Sequence, residues 1–285
     1  MTKRSFSALL SLVLSLGVLG LTQIGNAQHH GSGTRNETLL LLVADGPLAM
    51  EPASEMPSID LAGKELILNS ALVPKAQHPT GLLLQTLHVD AETGRMFTIG
   101  TFPADVVLPR HYHPVTERVM MLGGTAASPE TQLREGLYWE APPEVAMRPF
   151  RSEAGATFVL LSDGPFELIW LEEGEDAPNL AGKTFTVDPE GIEWKRLSEL
   201  MPGSVAQGVA KRLTTEEATG GGVYLVKLTR PTEGRLAVCS ANLEGYVLQG
   251  ELKLSDPYHG THVLGPGLYF RIPAGFPSDL FGLAE

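Results

Sequence analysis

Two short stretches of the sequence recur, in the same order, closer to the C-terminus. ERVMMLGG, which begins at Glu117, resembles EGYVLQGE, which begins at Glu244; EGLYWEAPP, around Gly136, resembles GPGLYFRIPAG, around Gly267. The two displacements, 127 and 131 residues, differ by no more than one short loop insertion. A repeat of this length predicts a duplicated structural unit.

The repeated stretches lie among runs that are typical of short β-strands. GLLLQTLHV and RMFTIGTF in the first half, and VYLVKL and GLYFRIP in the second, are rich in β-branched, aliphatic and aromatic residues. The 31 glycines and 21 prolines are spread along the chain, as tight turns between strands require. We therefore predict an all-β chain with two β-barrel units, at residues 80–175 and 208–285.

The rest of the chain divides around these two units. Residues 28–79 are predicted to be an N-terminal extension that contains the first strands. The acidic, turn-rich run EEGEDAPNLAG leads into a predicted linker over residues 176–207.

Residues 1–27 have the anatomy of a secretory signal peptide. Lys3 and Arg4 precede an apolar run, and Ala27 ends a small-residue cleavage site. An uncleaved anchor is the alternative, but the apolar run is short for a membrane span. We predict export to the periplasm or the exterior, with no stable membrane span after cleavage.

Charge and cysteine content exclude several classes of function. The formal net charge is −12, and no basic cluster follows the N-terminus, so nucleic acid is excluded as a partner because phosphate binding needs concentrated Lys and Arg. A small molecule is the expected ligand. Cys239 is the single cysteine, so no intrachain disulfide forms.

Chemically active side chains concentrate in PRHYHPVTERVMMLGG, residues 109–124. The chain has 8 histidines, yet His111 and His113 stand two apart here and Glu117 follows four residues later. Residues i and i+2 of a strand face the same side, so both imidazoles can converge inside a barrel and Glu117 can return to them after a turn. Two imidazoles and a carboxylate on one side of a cation suit Fe, Mn, Zn or Ni. The alternative is a surface histidine pair on an edge strand.

This pattern resembles the signature of the cupin superfamily, G-x5-H-x-H-x3-E-x6-G followed by G-x5-P-x-G-x2-H. Gly136 and Pro142 fit the second part, whereas Asp105 replaces the opening glycine of the first. With its repeat, the chain is similar to a bicupin, and APPEVAMRPFRSEAG is similar to ChrR-like cupins and to secreted bicupins of unassigned function. The resemblance implies two tandem jelly-roll barrels, one divalent metal and a small-molecule ligand.

The last histidine of the signature is replaced by Met147, whose thioether matches Fe or Mn poorly. Three interpretations are open: Met147 packs as an apolar lid over a three-ligand site, Glu140 or Glu144 supplies another carboxylate, or His78 or His88 approaches from a neighbouring strand. Arg148 and Arg151 join Glu140 and Glu144 as pocket candidates, since guanidinium groups bind carboxylates, although surface ion pairs explain both arginines equally.

The second unit has lost these ligands. Aligning Glu244 on Glu117 places Val238 and Ser240 at the histidine positions and Ser278 at the last ligand. His259 and His262 form another pair, but their spacing in a glycine-rich loop is unspecific.

The sequence therefore favours an exported bicupin with one divalent metal in its first barrel. It leaves two functions open: a metal-dependent dioxygenase or isomerase that acts on a small oxygenated molecule, and a non-catalytic protein for ligand binding, sensing or interaction. It also leaves open whether the chain forms a homodimer.

Overall fold

A computed structural model describes residues 37–48, 50–52, 66–202, 207–230, 237–256 and 260–282. The predicted signal peptide, residues 1–27, and His259 lie outside the described residues. Nearly all regular structure within them is β-strand, as the sequence predicts.

The strands in the first part of the chain are β1 Thr38–Ala44, β2 Met50–Pro52, β3 Leu66–Asn69, β4 Ala76–Gln77, β5 Leu83–Val89, β6 Met96–Phe102, β7 Val107–Leu108, β8 His111–Tyr112, β9 Glu117–Ala127, β10 Gln132–Arg134, β11 Tyr138–Ala141, β12 Phe150–Arg151, β13 Ala156–Ser162, β14 Ile169–Trp170 and β15 Phe185–Val187. Those that follow are β16 Lys195–Arg196, β17 Gln207–Thr215, β18 Gly222–Arg230, β19 Ala237–Cys239, β20 Leu243–Gln249, β21 Leu252–Asp256, β22 Gly260–Leu264, β23 Leu268–Ile272 and β24 Pro277–Gly282. The short helix α1 spans Leu197–Leu200, and 3-10 turns span Ser70–Leu72 and Pro189–Gly191.

Two large sheets have the same strand order. One runs β4-β5-β6-β13-β9-β11-β15, and the other runs β16-β17-β18-β1-β20-β23-β3. Position by position, β1 corresponds to β13, β20 to β9 and β3 to β15. The small strands repeat as well, since β14 pairs with β8 and β2 pairs with β19. The chain therefore contains two related barrels, as the sequence repeat predicts.

The second barrel is assembled from both ends of the described chain, which differs from the predicted boundaries. The sequence pattern placed residues 28–79 ahead of the first barrel and confined the second to residues 208–285. Strand β1, however, lies between β18 and β20 and pairs with both, and β3 pairs with β23. The predicted linker also contributes strands, because β15 pairs with β11 and β16 with β17. Strand patterns cannot reveal these partners, which tertiary contacts set.

The central strands are apolar on both faces because each separates two cores. In β1, Leu40 and Leu42 pack inside the second barrel, whereas Leu41 and Val43 pack into a core between the two barrels. Strand β13 alternates in the same way between the first barrel and the inter-barrel core. A strand buried on both sides reads as a near-continuous hydrophobic run, and this accounts for TLLLLVA in β1.

A buried charge cluster lies where the first sheet faces the second. Tyr138 donates a hydrogen bond to Glu140, 2.7 Å from hydroxyl to carboxylate, and Arg118 Nε lies 3.3 Å from the same Glu140 oxygen. Arg118 also donates to Asp163 at 2.5 Å. Burial, with the neighbouring Glu140 charge, raises the pKa of Tyr138 well above its ordinary value. Glu140 is therefore occupied in a structural network.

The second sheet carries the same arrangement with the charges exchanged. Glu244 stands opposite Arg271 in the register of β20 and β23, as Arg118 stands opposite Glu140 in β9 and β11. Tyr269 donates to Glu244 at 2.5 Å, and His88 of the first barrel contacts the same carboxylate at 2.8 Å. Glu244 thus links the two barrels.

Candidate metal centre

The side chains of the three predicted metal ligands face one cavity inside the first barrel. His111, His113 and Glu117 lie among the residues that line this cavity. All three side chains are largely buried. The other lining residues that the structure describes are aliphatic or aromatic, among them Met121 and Phe158. The polar groups are thus confined to one part of an apolar chamber.

Backbone carbonyl groups fix the orientation of both imidazoles. His111 Nδ1 lies 2.7 Å from the Pro109 carbonyl oxygen, and His113 Nδ1 lies 2.5 Å from that of Glu167. A carbonyl oxygen only accepts, so each Nδ1 carries the proton and donates. In a neutral ring the lone pair is then on Nε2, which is how ligating histidines are oriented in metal sites.

Charge and burial set the protonation states of the His111 ring and the Glu117 carboxylate. Burial, with the neighbouring His113, lowers the pKa of His111 to about 4, so this ring is neutral at pH 7. Burial alone would raise the pKa of Glu117, but the adjacent imidazoles outweigh it and lower the pKa below its ordinary value. A neutral imidazole and an ionised carboxylate are the protonation states that cation binding requires.

The donor chemistry fits a divalent cation, but the three side chains do not form a preformed cluster. No group of three or more His, Cys, Asp or Glu side chains within the described ranges is placed to hold a metal. Glu117 Oε2 lies 3.2 Å from His113 Nε2, and the two imidazole planes are nearly perpendicular, with centroids 5.1 Å apart. Cation binding would therefore replace the direct contact between Glu117 and His113.

Met147 lines the same cavity and is 3% exposed. Its backbone exchanges two hydrogen bonds with that of His111, at 2.7 and 3.3 Å. This pairing sets Met147 beside the first predicted ligand, where an apolar lid would lie.

The remaining candidates for the pocket and for a fourth ligand lie elsewhere, and the structure corrects that expectation. Glu140 faces the inter-barrel network, because Trp139 next to it takes the cavity side of β11. The side chain of Glu144 is exposed. Arg148 and Arg151 are exposed and pair with acidic neighbours: Glu130 with Arg148, and Glu153 with Arg151.

The two alternative histidines also have other partners. His78 Nδ1 lies 2.9 Å from the Thr80 hydroxyl, outside the cavity lining. Burial, together with His113, lowers its pKa, so His78 is near the site without being part of it. His88 contacts Glu244 across the barrel interface.

Sequence reasoning missed the aromatic residues that pack against the two imidazoles. Phe166 stacks on His113 with ring centroids 4.7 Å apart. Trp170 packs against His111 in a T-shaped arrangement, with ring centroids 5.5 Å apart. Both belong to PFELIW, which returns across the barrel so that β14 pairs with β8. The Gly164–Pro165 turn ahead of these aromatic residues was the available signal.

The second barrel has an apolar residue where the first has Glu117. Gly124 and Gly250 both adopt left-handed backbone, with φ of 73° and 78°, and both lie against a neighbouring strand backbone. Matching these glycines makes Leu243, buried in the second core, the counterpart of Glu117. The predicted alignment of Glu244 on Glu117 is therefore one residue out, and Glu244 corresponds to Arg118.

The other second-unit positions do not rebuild a site. The side chain of Ser240 is exposed and donates to the Pro47 carbonyl oxygen at 2.8 Å, and Ser278 is buried on β24. The side chain of Val238 lies outside the described part of the molecule. His262 lies on β22, where its backbone pairs with Leu254.

Comparison with known proteins agrees with this architecture. Residues 64–167 match the family described as the ChrR Cupin-like domain. A provisionally assigned dioxygenase from Nostoc punctiforme PCC 73102 has a similar crystal structure, with a TM-score of 0.64, 16% identity, and coverage of 81% of this chain and 82% of its own. Protein YlbA from E. coli aligns with a TM-score of 0.50 and 14% identity, covering 77% of this chain and 86% of its own. Curated protein sequences gave no significant match.

Strand order and structural likeness define a fold of two cupin-type barrels. Residues 64–167, which include most of the first barrel, are similar to ChrR Cupin-like domains. Within the described residues, no helix is both long and apolar enough to cross a membrane.

Proposed function

We propose that this chain is an exported two-barrel cupin that binds one divalent cation in its first barrel, together with a small molecule in the adjoining cavity. The observation that carries the proposal is the meeting of His111, His113 and Glu117 in an otherwise apolar chamber. The carbonyl groups that hold both Nδ1 atoms support it, because they leave the Nε2 atoms for a cation.

A bound Fe, Mn, Zn or Ni ion would supply Lewis-acid or redox chemistry at this point of the cavity. The protein's own contribution is to orient the two imidazoles, keep Glu117 ionised and exclude bulk water. Phe166 and Trp170 serve the last task, because they pack directly on the imidazole rings. Three protein ligands would leave positions open for an oxygen-bearing substrate.

We infer a dioxygenase or isomerase acting on a small oxygenated molecule as the activity of this site. The Nostoc protein, which shares the fold, carries a provisional dioxygenase assignment. Non-catalytic ligand binding or sensing is the second candidate. The presence of Met147 at the fourth position, and of a Glu117–His113 contact in place of a preformed cluster, favours that candidate.

Reconstitution separates the two functions. Protein stripped of metal and reloaded with Fe, Mn, Zn or Ni should unfold at a higher temperature, because a ligand of the native state stabilises it. A panel of small oxygenated molecules is then screened for oxygen uptake and for isomerised products. Turnover that His113→Ala abolishes supports the enzyme, whereas thermal stabilisation by a compound without any turnover supports the binding protein. Glu144→Gln, an exposed carboxylate, is the matched control.

Export is tested on the mature N-terminus. Expression with the full leader should yield protein that begins at Gln28 and fractionates outside the cytoplasm. Recovery of intact Met1 in the membrane fraction would contradict signal cleavage.

A further inference from the structure

We infer that the first-barrel cavity takes an uncharged, mostly apolar molecule whose oxygen atom accepts a hydrogen bond from the indole N–H of Trp139. This deepens the proposed function, since it names the class of small molecule for the same cavity, and it holds with or without a cation.

The lining excludes a charged ligand from most of the cavity. No Lys or Arg lies among the lining residues that the structure describes, and the lining includes the acidic residue Glu117. Arg148 and Arg151, the arginines proposed for carboxylate recognition, are on the surface. Burying an anion here without a partner would cost several kcal/mol. Rings such as Phe102 and Phe158 instead offer an apolar surface.

Trp139 supplies a polar group that the described protein leaves unused. The side chain lines the cavity and is 3% exposed. Its Nε1 is buried and has no hydrogen-bond partner among the described residues. A buried donor without an acceptor costs about 1–3 kcal/mol, so such groups normally have a partner.

A ligand in the cavity is the natural source of the acceptor. Val119 stands opposite Trp139 in the register of β9 and β11, and Phe150 packs edge-on with ring centroids 5.7 Å apart. Both neighbours are apolar, so neither side chain offers an oxygen or nitrogen acceptor. A carbonyl or ether oxygen on an apolar ligand would complete the hydrogen bond, and it would distinguish this ligand from a pure hydrocarbon.

Three probes of similar size test the inference: acetophenone, ethylbenzene and benzoate. Binding is measured by calorimetry on full-length mature protein in EDTA, so that no cation can recruit benzoate. We expect acetophenone to bind about fivefold more tightly than ethylbenzene, the ratio that one hydrogen bond supplies, and benzoate to bind at least tenfold more weakly. Trp139→Phe keeps the aromatic bulk and should remove the preference for acetophenone. Trp194→Phe, the same change outside the cavity, should keep it.

A direct readout is independent of variant stability. In ¹⁵N-labelled protein the Trp139 indole resonance should move with acetophenone and stay in place with ethylbenzene. Two results would overturn the inference. One is benzoate binding as tightly as acetophenone; the other is an indole resonance that responds in the same way to acetophenone and to ethylbenzene. Failure of the metal site is distinguishable, because it appears as lost metal binding while the probe preferences in EDTA remain.

Discussion

At the scale of single residues, burial controls the protonation of groups on which the candidate site depends. The His111 ring is neutral because burial lowers its pKa from 6.5 to about 4. Sequence spacing predicted which three side chains meet, since HxH alternation and the following turn are local. It could not predict the aromatic packing on the imidazoles or the loss of Glu140 from the pocket, because these depend on which face of a distant strand each residue occupies.

The metal-free protein should lose stability on mild acidification. His111 has a lower pKa in the folded state than the ordinary 6.5 of an exposed histidine, so the unfolded chain binds more protons between these values. The stabilisation from neutral His111 is therefore complete above pH 6.5 and is lost progressively as pH falls towards 4, by about 3 kcal/mol at most. Urea unfolding in EDTA between pH 4 and 7 measures this loss. His111→Gln should flatten the slope; an unchanged slope would contradict the assignment.

Restoring the signature histidine should strengthen the metal site. Met147 is buried in the cavity and its backbone pairs with His111, so Met147→His places a third imidazole beside the predicted ligands. We expect metal affinity to rise by on the order of tenfold, because nitrogen suits these cations better than a thioether. Calorimetric titration with Mn²⁺ measures it, and Met147→Leu is the control. Equal affinity in the histidine and leucine variants would show that residue 147 lies outside ligand reach.

At the scale of strands, glycine positions fix how each barrel's central strands pack. Gly124 adopts a φ of 73°, and a Cβ there would lie 2.2 Å from the Gly155 carbonyl oxygen of the turn before β13. Gly250 meets the Glu37 carbonyl ahead of β1 in the same way. The sequence repeat aligned Glu244 with Glu117 and so missed the one-residue shift that turns Glu244 towards the first barrel, because successive residues of a strand face opposite sides of the sheet.

Gly124→Ala should destabilise the protein by about 3 kcal/mol, since it combines left-handed backbone with a backbone clash. Gly123→Ala is a close control, because nothing lies within 4 Å of a Cβ at Gly123 and its φ is not positive. Urea unfolding of both variants provides the comparison. Equal, small effects would show that the strand register does not depend on Gly124.

At the scale of the whole molecule, strands from the N-terminal part of the chain hold the second barrel together. Strand β1 is central in that sheet and contributes to both the second-barrel core and the inter-barrel core. The repeat predicted two barrels, but contiguous sequence units could not show that β1, β2 and β3 complete the more distant one.

A chain that begins at residue 49 should therefore fail to fold its second barrel, because β18 and β20 lose the strand between them. A chain that begins at residue 28 is the control. Hydrogen exchange should show strong protection of β20 and β23 in the control and its loss in the shortened chain. Full protection in the shortened chain would contradict the assembly from both ends.

We propose that the first barrel binds one divalent cation through His111, His113 and Glu117. The most direct test is Mn²⁺ titration by calorimetry, with metal content by mass spectrometry, on the wild type and on His111→Ala, His113→Ala, Glu117→Gln and the control His262→Ala. We expect one equivalent per chain in the wild type and in His262→Ala, with binding lost in the other three. No retained metal in the wild type, or unchanged binding in all three ligand variants, would contradict it.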